Sequence, residues 1–378
     1  MKHKILTIII IAVLVKIIYV LFALGYSNYS QHDLPINNSQ DVLELFKRNQ
    51  GFWYEKIANE GHEKVSPEQL GNCEADNMSQ SRYAFFPLYP FTVRFTMYAV
   101  NMGFNSIALL YSLLFSILLY VLFYKFVRLF YSDEKIAFWA TIVLLVFPFN
   151  YYFSMYYAES LYLMLLMGSF LAIHQKRWAV FSALLAFLVL SRPNGLLVLL
   201  PLFVYFLERQ FTLDFRQWKN LKVKDYLPIL TFLSAPLVLM LYCLYLKNMT
   251  GDFFALKTAQ IGWCRWTTAP WQPILNSHSW QDYFKVVYLL LFMGISVLFI
   301  RKLPLSLNLL IWISLLIPLF YNTLTVPRYI SLVFVFFMIF GSLMGKLKDK
   351  WNIAIVLLLF LTQLWSFGFW LISDELSF

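Results

Sequence analysis

The sequence predicts an all-α polytopic membrane protein, and three features of its composition support that class. Of its 378 residues, 60% are hydrophobic and 20% are aromatic, whereas only 13% are charged. A soluble domain carries about 45–50% apolar and about 25% charged residues. The mean hydropathy is +0.65, and no soluble fold can hide so many aromatic side chains while exposing so few charges. We therefore expect one integral membrane domain over residues 1–378.

Apolar runs along the chain set the expected membrane spans. A transmembrane helix needs about 20 residues. Eleven apolar runs of 13 to 22 residues are the candidate spans: 5–25, 105–124, 135–153, 157–173, 178–191, 195–207, 226–246, 283–300, 304–320, 328–345 and 351–372. The first run could pass for a signal peptide. However, Lys16 lies inside it, which favours a retained first helix.

Charge placement orients these spans. The chain carries a formal charge of +10, and its basic residues lie in short clusters between apolar runs. Such clusters mark the cytoplasmic side of membrane proteins, so no nucleic-acid partner is expected. All of them fall on one side only if the short stretch 86–101, which contains two prolines and Arg94, does not cross. We therefore expect a cytoplasmic N-terminus and two long outer loops, 26–104 and 247–282.

The first outer loop is not featureless. Two stretches, beginning at Asp41 and Phe52, place apolar residues at helical spacing, which predicts interfacial helices. Stretch 86–101 is expected to be a further interfacial or re-entrant helix. The histidines of this loop, His32 and His62, are expected to be solvated. No internal repeat is visible, which argues against a transporter built from two equivalent halves.

Three charged residues at the outer ends of apolar runs need an explanation: Glu159, Arg192 and Arg328. A charge near hydrocarbon costs a few kcal/mol unless it is paired or hydrated. Glu159 pairing with one arginine, or arginines reaching lipid headgroups, would meet that requirement. Alternatively, the two arginines bind a lipid-linked phosphate through charge-assisted, bidentate contacts. Both explanations remain open from the sequence.

Five motifs follow one another along the outer segments. They are Trp53-Tyr54-x-x-Ile57-Ala58-x-x-Gly61-His62, Phe85-Phe86-Pro87-Leu88-Tyr89-Pro90, Tyr157-Ala158-Glu159-Ser160, Arg192-Pro193-Asn194-Gly195 and Arg328-Tyr329. In order and spacing they resemble the PIG-V-type mannosyltransferases, which are the GPI second-mannose transferases and their prokaryotic relatives in the GT-C superfamily. The resemblance extends over about residues 40–345.

The resemblance implies an inverting glycosyltransferase. A sugar, usually mannose, would pass from a polyprenyl-phosphate donor to a glycan, lipid or protein acceptor on the outer face of the membrane. Arg192, Arg328 and Tyr329 would bind the donor phosphate. The expected substrate-binding residues are Trp53, Tyr54, Tyr89, Asn194, Gln260 and Trp263, although the aromatic ones would also suit an interfacial belt. No DxD motif is present, and neither a metal nor a cofactor is expected.

The sequence departs from the family pattern at the residue expected to act as the catalytic base. The family's Trp-Asp pair, which supplies the expected catalytic carboxylate, aligns with Asn49-Gln50, and a glutamine cannot accept the proton of an acceptor hydroxyl. The candidate catalytic residues are therefore Gln50 at the family position and the carboxylates Glu55, Asp41 and Glu159. Two other function classes stay open: a catalytically inactive relative that binds lipid-linked glycans or a partner, and a lipid or glycan flippase. A flippase would need charges near the bilayer midplane, and apart from Lys16 the runs hold almost none.

The remaining expectations concern the cysteines and the compartment. Cys73 and Cys264 fall in different outer loops, so they are expected either to form a disulfide or to remain two free thiols. Cys243 lies in an apolar run, where a free thiol packs as a small hydrophobe. The resemblance and the compact chain favour a bacterial inner membrane, with the active face toward the periplasm.

Overall fold

A computed structural model of the chain describes residues 2–30, 39–74, 77–78, 80–210, 226–264, 267–320 and 325–372. Within these ranges the protein is α-helical, as predicted. The β structure there consists of one antiparallel pair of two-residue strands, Cys73–Glu74 (β1) and Asn77–Met78 (β2).

Eighteen helices, α1 to α18 in chain order, form the described part of the fold. They are Lys2–Ser30, Ser39–Leu45, Gln50–Glu60, Leu88–Val100, Phe104–Val127, Glu134–Val146, Glu159–His174, Trp178–Ser191, Asn194–Leu197, Leu199–Gln210, Ser234–Thr250, Ala255–Ile261, Gln272–Leu275, Trp280–Phe299, Leu305–Leu316, Val326–Ser331, Val335–Met344 and Asp349–Leu371. Short 3-10 segments lie at Pro67–Gln69, Arg82–Ala84, Asn150–Ser154, Leu227–Leu233, Ile300–Lys302 and Ile317–Phe320.

Five helical stretches among the described residues are long and apolar enough to cross a membrane. They are Lys2–Tyr26, Phe104–Val127, Leu227–Thr250, Trp280–Lys302 and Asp349–Leu371. Four apolar helical stretches are shorter: Glu159–His174, Trp178–Ser191, Leu305–Phe320 and Val335–Met344. Each predicted span contains helix, and the number of crossings and their orientation stay predictions.

Several predicted spans are divided where the backbone requires it. The run 135–153 leaves the α-helix after Val146, because Pro148 cannot donate a helical hydrogen bond and Phe149 has a positive φ of 67°. A 3-10 turn over Asn150–Ser154 completes it. Stretch 86–101 forms α4, whose 13 residues span only about 20 Å, less than the hydrocarbon core of about 30 Å.

The two expected helices of the first outer loop are α2 and α3, and they are fastened to the membrane helices. The backbone N–H of Tyr156 donates to the Phe46 carbonyl at 3.0 Å. The Tyr157 hydroxyl donates to the Arg48 carbonyl at 2.8 Å. The indole N–H of Trp370, on α18, donates to the Leu45 carbonyl at 3.3 Å. These contacts fix the start of α3 beside the start of α7.

Lys16 is buried in α1. Its ammonium donates to the Ser112 hydroxyl of α5 at 2.6 Å and to the Ser154 carbonyl at 2.5 Å. The lysine therefore joins three segments of the chain, α1, α5 and the 3-10 turn that follows α6. His62 is buried as well, in contrast to the solvated position expected from the sequence, because it packs between Tyr83 and Phe91.

Candidate functional site: a buried arginine–glutamate cluster

Three charged side chains from distant parts of the chain meet at the start of α7. Glu159 is fully buried, and Arg192 and Arg328 are each 8% exposed. One carboxylate oxygen of Glu159, Oε1, forms ion pairs with both guanidinium groups and accepts a hydrogen bond from Nε of Arg328. The carboxylate is thus shared by two arginines, where the simplest pairing expected from the sequence involved one.

Gln50 completes this cluster from the first outer loop. Its side-chain oxygen accepts a hydrogen bond from Nη2 of Arg328 at 2.6 Å. Gln50, which the sequence predicted as a candidate catalytic residue, therefore contacts an arginine directly. We call Gln50, Glu159, Arg192 and Arg328 the arginine cluster.

Local sequence explains the position of Arg192. A residue before proline is restricted to extended backbone, and Arg192 has φ −159° and ψ 159°. Gly195 then lets the chain fold back over the end of α8. A Cβ at this glycine would collide with the Leu188 carbonyl oxygen and lie 2.9 Å from the Val189 Cα. The Arg-Pro-Asn-Gly motif is thus a tight corner that places a guanidinium at the end of a helix.

Arg328 is positioned by a short helix and two aromatic rings. It lies on the short helix α16, directly after Pro327, and its guanidinium carbon is 4.5 Å from the ring centre of Tyr157 and 5.2 Å from that of Tyr152. A guanidinium over an aromatic face is attracted by the ring quadrupole. The two tyrosines therefore stabilise the charge where little water reaches it. Sequence reasoning assigned neither tyrosine a role, although both lie in the aromatic run that precedes Glu159.

The charges of the arginine cluster do not balance. Two guanidinium groups face one carboxylate and one neutral amide, which leaves one formal positive charge. Several polar atoms nearby are buried without a hydrogen-bond partner among the described residues: Glu159 Oε2, Ser160 Oγ, Arg192 Nε, Tyr89 Oη and Tyr156 Oη. Buried polar atoms are normally paired. The cluster is therefore suited to bind an anionic or polar ligand group.

Aromatic side chains pack around α3. Trp53 stacks on Phe85 with ring centres 5.7 Å apart and meets Trp263 edge-on at 5.2 Å. Tyr54 lies 5.1 Å from Tyr89. Burial raises the pKa of Tyr54 to about 12, so its hydroxyl is neutral near pH 7. The structure thus brings together four of the expected substrate-binding residues.

Gln260 and Trp263 join the two outer loops. The Gln260 amide donates to the Ala84 carbonyl at 2.9 Å, and the Trp263 indole donates to the Ser81 carbonyl at 3.4 Å. Cys73 and Cys264 form a disulfide with Cα atoms 5.4 Å apart, within the usual range. The second outer loop is therefore held against the Phe-Phe-Pro segment of the first.

Besides Glu159, which belongs to the arginine cluster, two carboxylates were predicted from the sequence as catalytic residues, and the structure does not place either in the cluster. Glu55 forms an ion pair with Lys47 at 2.7 Å. It follows Gln50 by five residues, which rotates it by about 140° around α3. Asp41 belongs to α2, but its side chain lies outside the described residues.

The two remaining expected residues flank the arginines. Asn194 is buried at the first position of α9. Tyr329 is half-buried beside Arg328. Among the described residues no group of three or more His, Cys, Asp or Glu side chains could hold a metal ion.

Comparisons with known proteins give a limited result. No protein-family model matches the sequence, and no curated protein matches it significantly. Among solved structures, the chain is similar to the Archaeoglobus fulgidus oligosaccharyltransferase, crystallised in complex with zinc and sulfate, with a TM-score of 0.43 and 13% sequence identity. The match covers 96% of this chain and 53% of that chain, so the present chain spans about half of its length.

Proposed function

We propose that this membrane protein is a glycosyltransferase that takes a sugar, most simply mannose, from a polyprenyl-phosphate donor. The arginine cluster binds the donor phosphate. The observation that carries this proposal is the buried excess of one guanidinium over the carboxylate beside polar atoms that lack partners. The order of the five motifs supports the same reaction class.

The proposed step is a single displacement. An acceptor hydroxyl attacks the anomeric carbon, the bond between that carbon and the phosphate oxygen breaks, and polyprenyl phosphate leaves with its electron pair. Negative charge grows on the departing phosphate, where fixed guanidinium groups stabilise it most. The acceptor proton passes to a carboxylate, with Glu159, Glu55 and Asp41 as the candidates. We place the site on the periplasmic face of a bacterial inner membrane.

A second candidate function is supported by one contact. Gln50 stands where the family has its aspartate, and its oxygen accepts a hydrogen bond from Arg328 instead of serving as a base. A protein that binds a lipid-linked glycan without transferring it would keep such a cluster. Both candidates require phosphate binding, and only the first requires release of polyprenyl phosphate from the donor.

The test measures donor binding and donor cleavage separately. Purified protein in nanodiscs is mixed with polyprenyl-phosphate mannose; retained donor reports binding, and appearance of free polyprenyl phosphate reports cleavage. Arg192→Ala and Arg328→Ala should each weaken donor binding by about tenfold or more, since each removes charge-assisted contacts of about 1.5–3 kcal/mol. Lysine at either position should restore it only in part, because its ammonium lacks the planar fork.

Lys56→Ala is the matched control, because Lys56 is an exposed basic residue on α3. This variant should bind the donor like the wild type. Wild-type binding by both arginine variants would contradict phosphate recognition. Donor binding without cleavage, with acceptor lipids and glycans supplied, would favour the non-catalytic candidate.

A further inference from the structure

A cavity of about 430 Å³ lies between α3 and the turn that joins α4 to α5. Its wall includes the polar residues Glu55, Asn59, Asn105 and Ser106 and the apolar residues Met97 and Phe104. None of the four residues of the arginine cluster lines it. The cavity is therefore separate from the proposed phosphate site.

Glu55 is the charged residue among those that line the cavity, and its carboxylate disfavours an anionic ligand there. Lys47 forms ion pairs with Glu55, at 2.7 Å, and with Glu44. The side-chain amide of Asn105 donates to Glu44 at 2.6 Å. Lys47 balances one of these two carboxylates, and the Arg94 guanidinium donates to the Ala58 carbonyl at 3.0 Å, directly before Asn59. The local carboxylate of Glu55, and not a net charge, therefore disfavours phosphate at the wall. Because Lys47 already pairs with both carboxylates, a second cation gains little there.

The remaining polar groups suit a ligand with several hydroxyls. Asn59 is exposed at the cavity wall, and Asn105 Oδ1 is buried without a hydrogen-bond partner among the described residues. Carboxamides and carboxylates accept hydrogen bonds from hydroxyl groups. Met97 adds a small apolar edge to this mostly polar wall, and Phe104 is buried behind it with 3% exposure. A wall made mainly of hydrogen-bonding groups fits a polyhydroxy ligand.

The position of the cavity relates this ligand to the membrane. Phe104 is the first residue of α5, a helix long and apolar enough to span the bilayer, so the cavity lies at a membrane boundary. Directly before it, Phe95, Tyr98, Val100 and Met102 expose large apolar side chains along and after α4. A hydrocarbon chain can therefore extend from the cavity along this surface.

We propose that this cavity binds the uncharged sugar or polyol headgroup of a membrane lipid. The headgroup hydroxyls donate to Glu55, Asn59 and Asn105, and the lipid tails lie against the exposed side chains of α4. The cavity contains Glu55, one of the candidate bases, but none of the four residues of the arginine cluster. It therefore adds a second lipid site that is tested separately from phosphate binding.

Thiol protection tests the proposal on the full chain. Asn59→Cys is made in a Cys243→Ser background and labelled with a membrane-impermeant maleimide, in nanodiscs with or without glucosyl-, galactosyl- or mannosyl-diacylglycerol. At least one glycolipid should slow labelling severalfold, whereas diacylglycerol and phosphatidylglycerol should not. Asn276→Cys, exposed in the second outer loop, is the matched control and should label at one rate throughout.

Further samples in the same experiment identify the kind of ligand and the residues that bind it. Methyl glycosides of the same sugars should protect much less than the glycolipids, and protection by both alike would show a free-glycan site and overturn the lipid assignment. Adding Asn105→Leu should raise the glycolipid concentration for half-protection about tenfold, as expected for one lost hydrogen bond. No protection by any of the three glycolipids, or protection that Asn105→Leu leaves unchanged, overturns the proposal. Polyprenyl-phosphate binding, measured on the same samples, should stay at the wild-type level, so failure here and failure at the arginine cluster are distinguishable.

Discussion

The carboxylate of Glu159 accepts a hydrogen bond from Nε of Arg328, a residue 169 positions later in the chain. The same oxygen is ion-paired with Arg192. This one acid therefore holds the first residue of α7, the corner after α8 and the short helix α16 together. Since all three groups are buried, the cluster is both a structural joint and the proposed phosphate site, and the two roles need separate tests.

Glu159→Gln should destabilise the protein. The substitution keeps the shape of the side chain but removes the counter-charge of two buried guanidinium groups, and breaking a buried ion pair costs about 3–5 kcal/mol. We expect the apparent thermal unfolding midpoint in detergent to fall by several degrees. Glu68→Gln, at an exposed position of the first outer loop, should leave it unchanged. Equal unfolding midpoints for both variants would show that the Glu159 charge does not stabilise the fold.

Gln50→Glu tests whether net charge governs anion binding. The added carboxylate would neutralise the excess positive charge of the arginine cluster beside Arg328, and we expect polyprenyl-phosphate affinity to fall about tenfold. Gln50→Ala removes the amide contact but leaves the charge, so its affinity should change much less. If the alanine variant loses more than the glutamate variant, contact geometry and not charge controls binding.

Gly195→Ala should disturb donor binding without removing any contacting group. The added methyl collides with the backbone of α8, so the corner that carries Arg192 must shift, at a cost of about 1–3 kcal/mol. We expect weaker polyprenyl-phosphate binding and a lower unfolding midpoint. Gly294→Ala is the control, because its Cβ would meet no atom within 4 Å. Wild-type behaviour of Gly195→Ala would show that the corner relaxes without moving Arg192.

The sequence was sufficient to predict the helical class and the residues that form the arginine cluster. Apolar runs of about 20 residues report burial in lipid directly, and charged residues at their ends are costly enough to need partners. The partner of each charged residue depends on how helices that are distant in the sequence pack together. The hydrophobic periodicity of the sequence does not determine that packing. The sharing of Glu159 by two arginines was therefore beyond prediction, whereas the rotation of Glu55 away from Gln50 follows from their five-residue spacing on a helix.

His62 should make the outer loops less stable in acid. Burial, with Arg82 nearby, lowers the pKa of His62 to about 4 from 6.5. As pH falls from about 6.5 to 4, the unfolded chain binds a proton that the folded chain does not, so stability decreases by up to about 3 kcal/mol. His62→Phe should flatten the decline of the unfolding midpoint over this range, whereas His278→Gln, at an exposed position, should not. An unchanged slope in His62→Phe would assign the acid sensitivity to other groups.

The disulfide between Cys73 and Cys264 should stabilise the outer loops and leave the membrane helices intact. The two cysteines are 191 residues apart, and closing so long a loop restricts the unfolded chain by about 2–5 kcal/mol in the chain-entropy model. Non-reducing peptide mapping should recover the two cysteines as one linked peptide pair, and a free thiol on Cys73 in oxidised material would reject the bridge. Cys73→Ser should speed proteolysis of both outer loops without changing the helical circular dichroism. Cys243→Ser, which removes the free cysteine of α11, should change neither. Because Gln260 and Trp263 also join these loops, the effect should grow when Gln260→Ala is combined with Cys73→Ser.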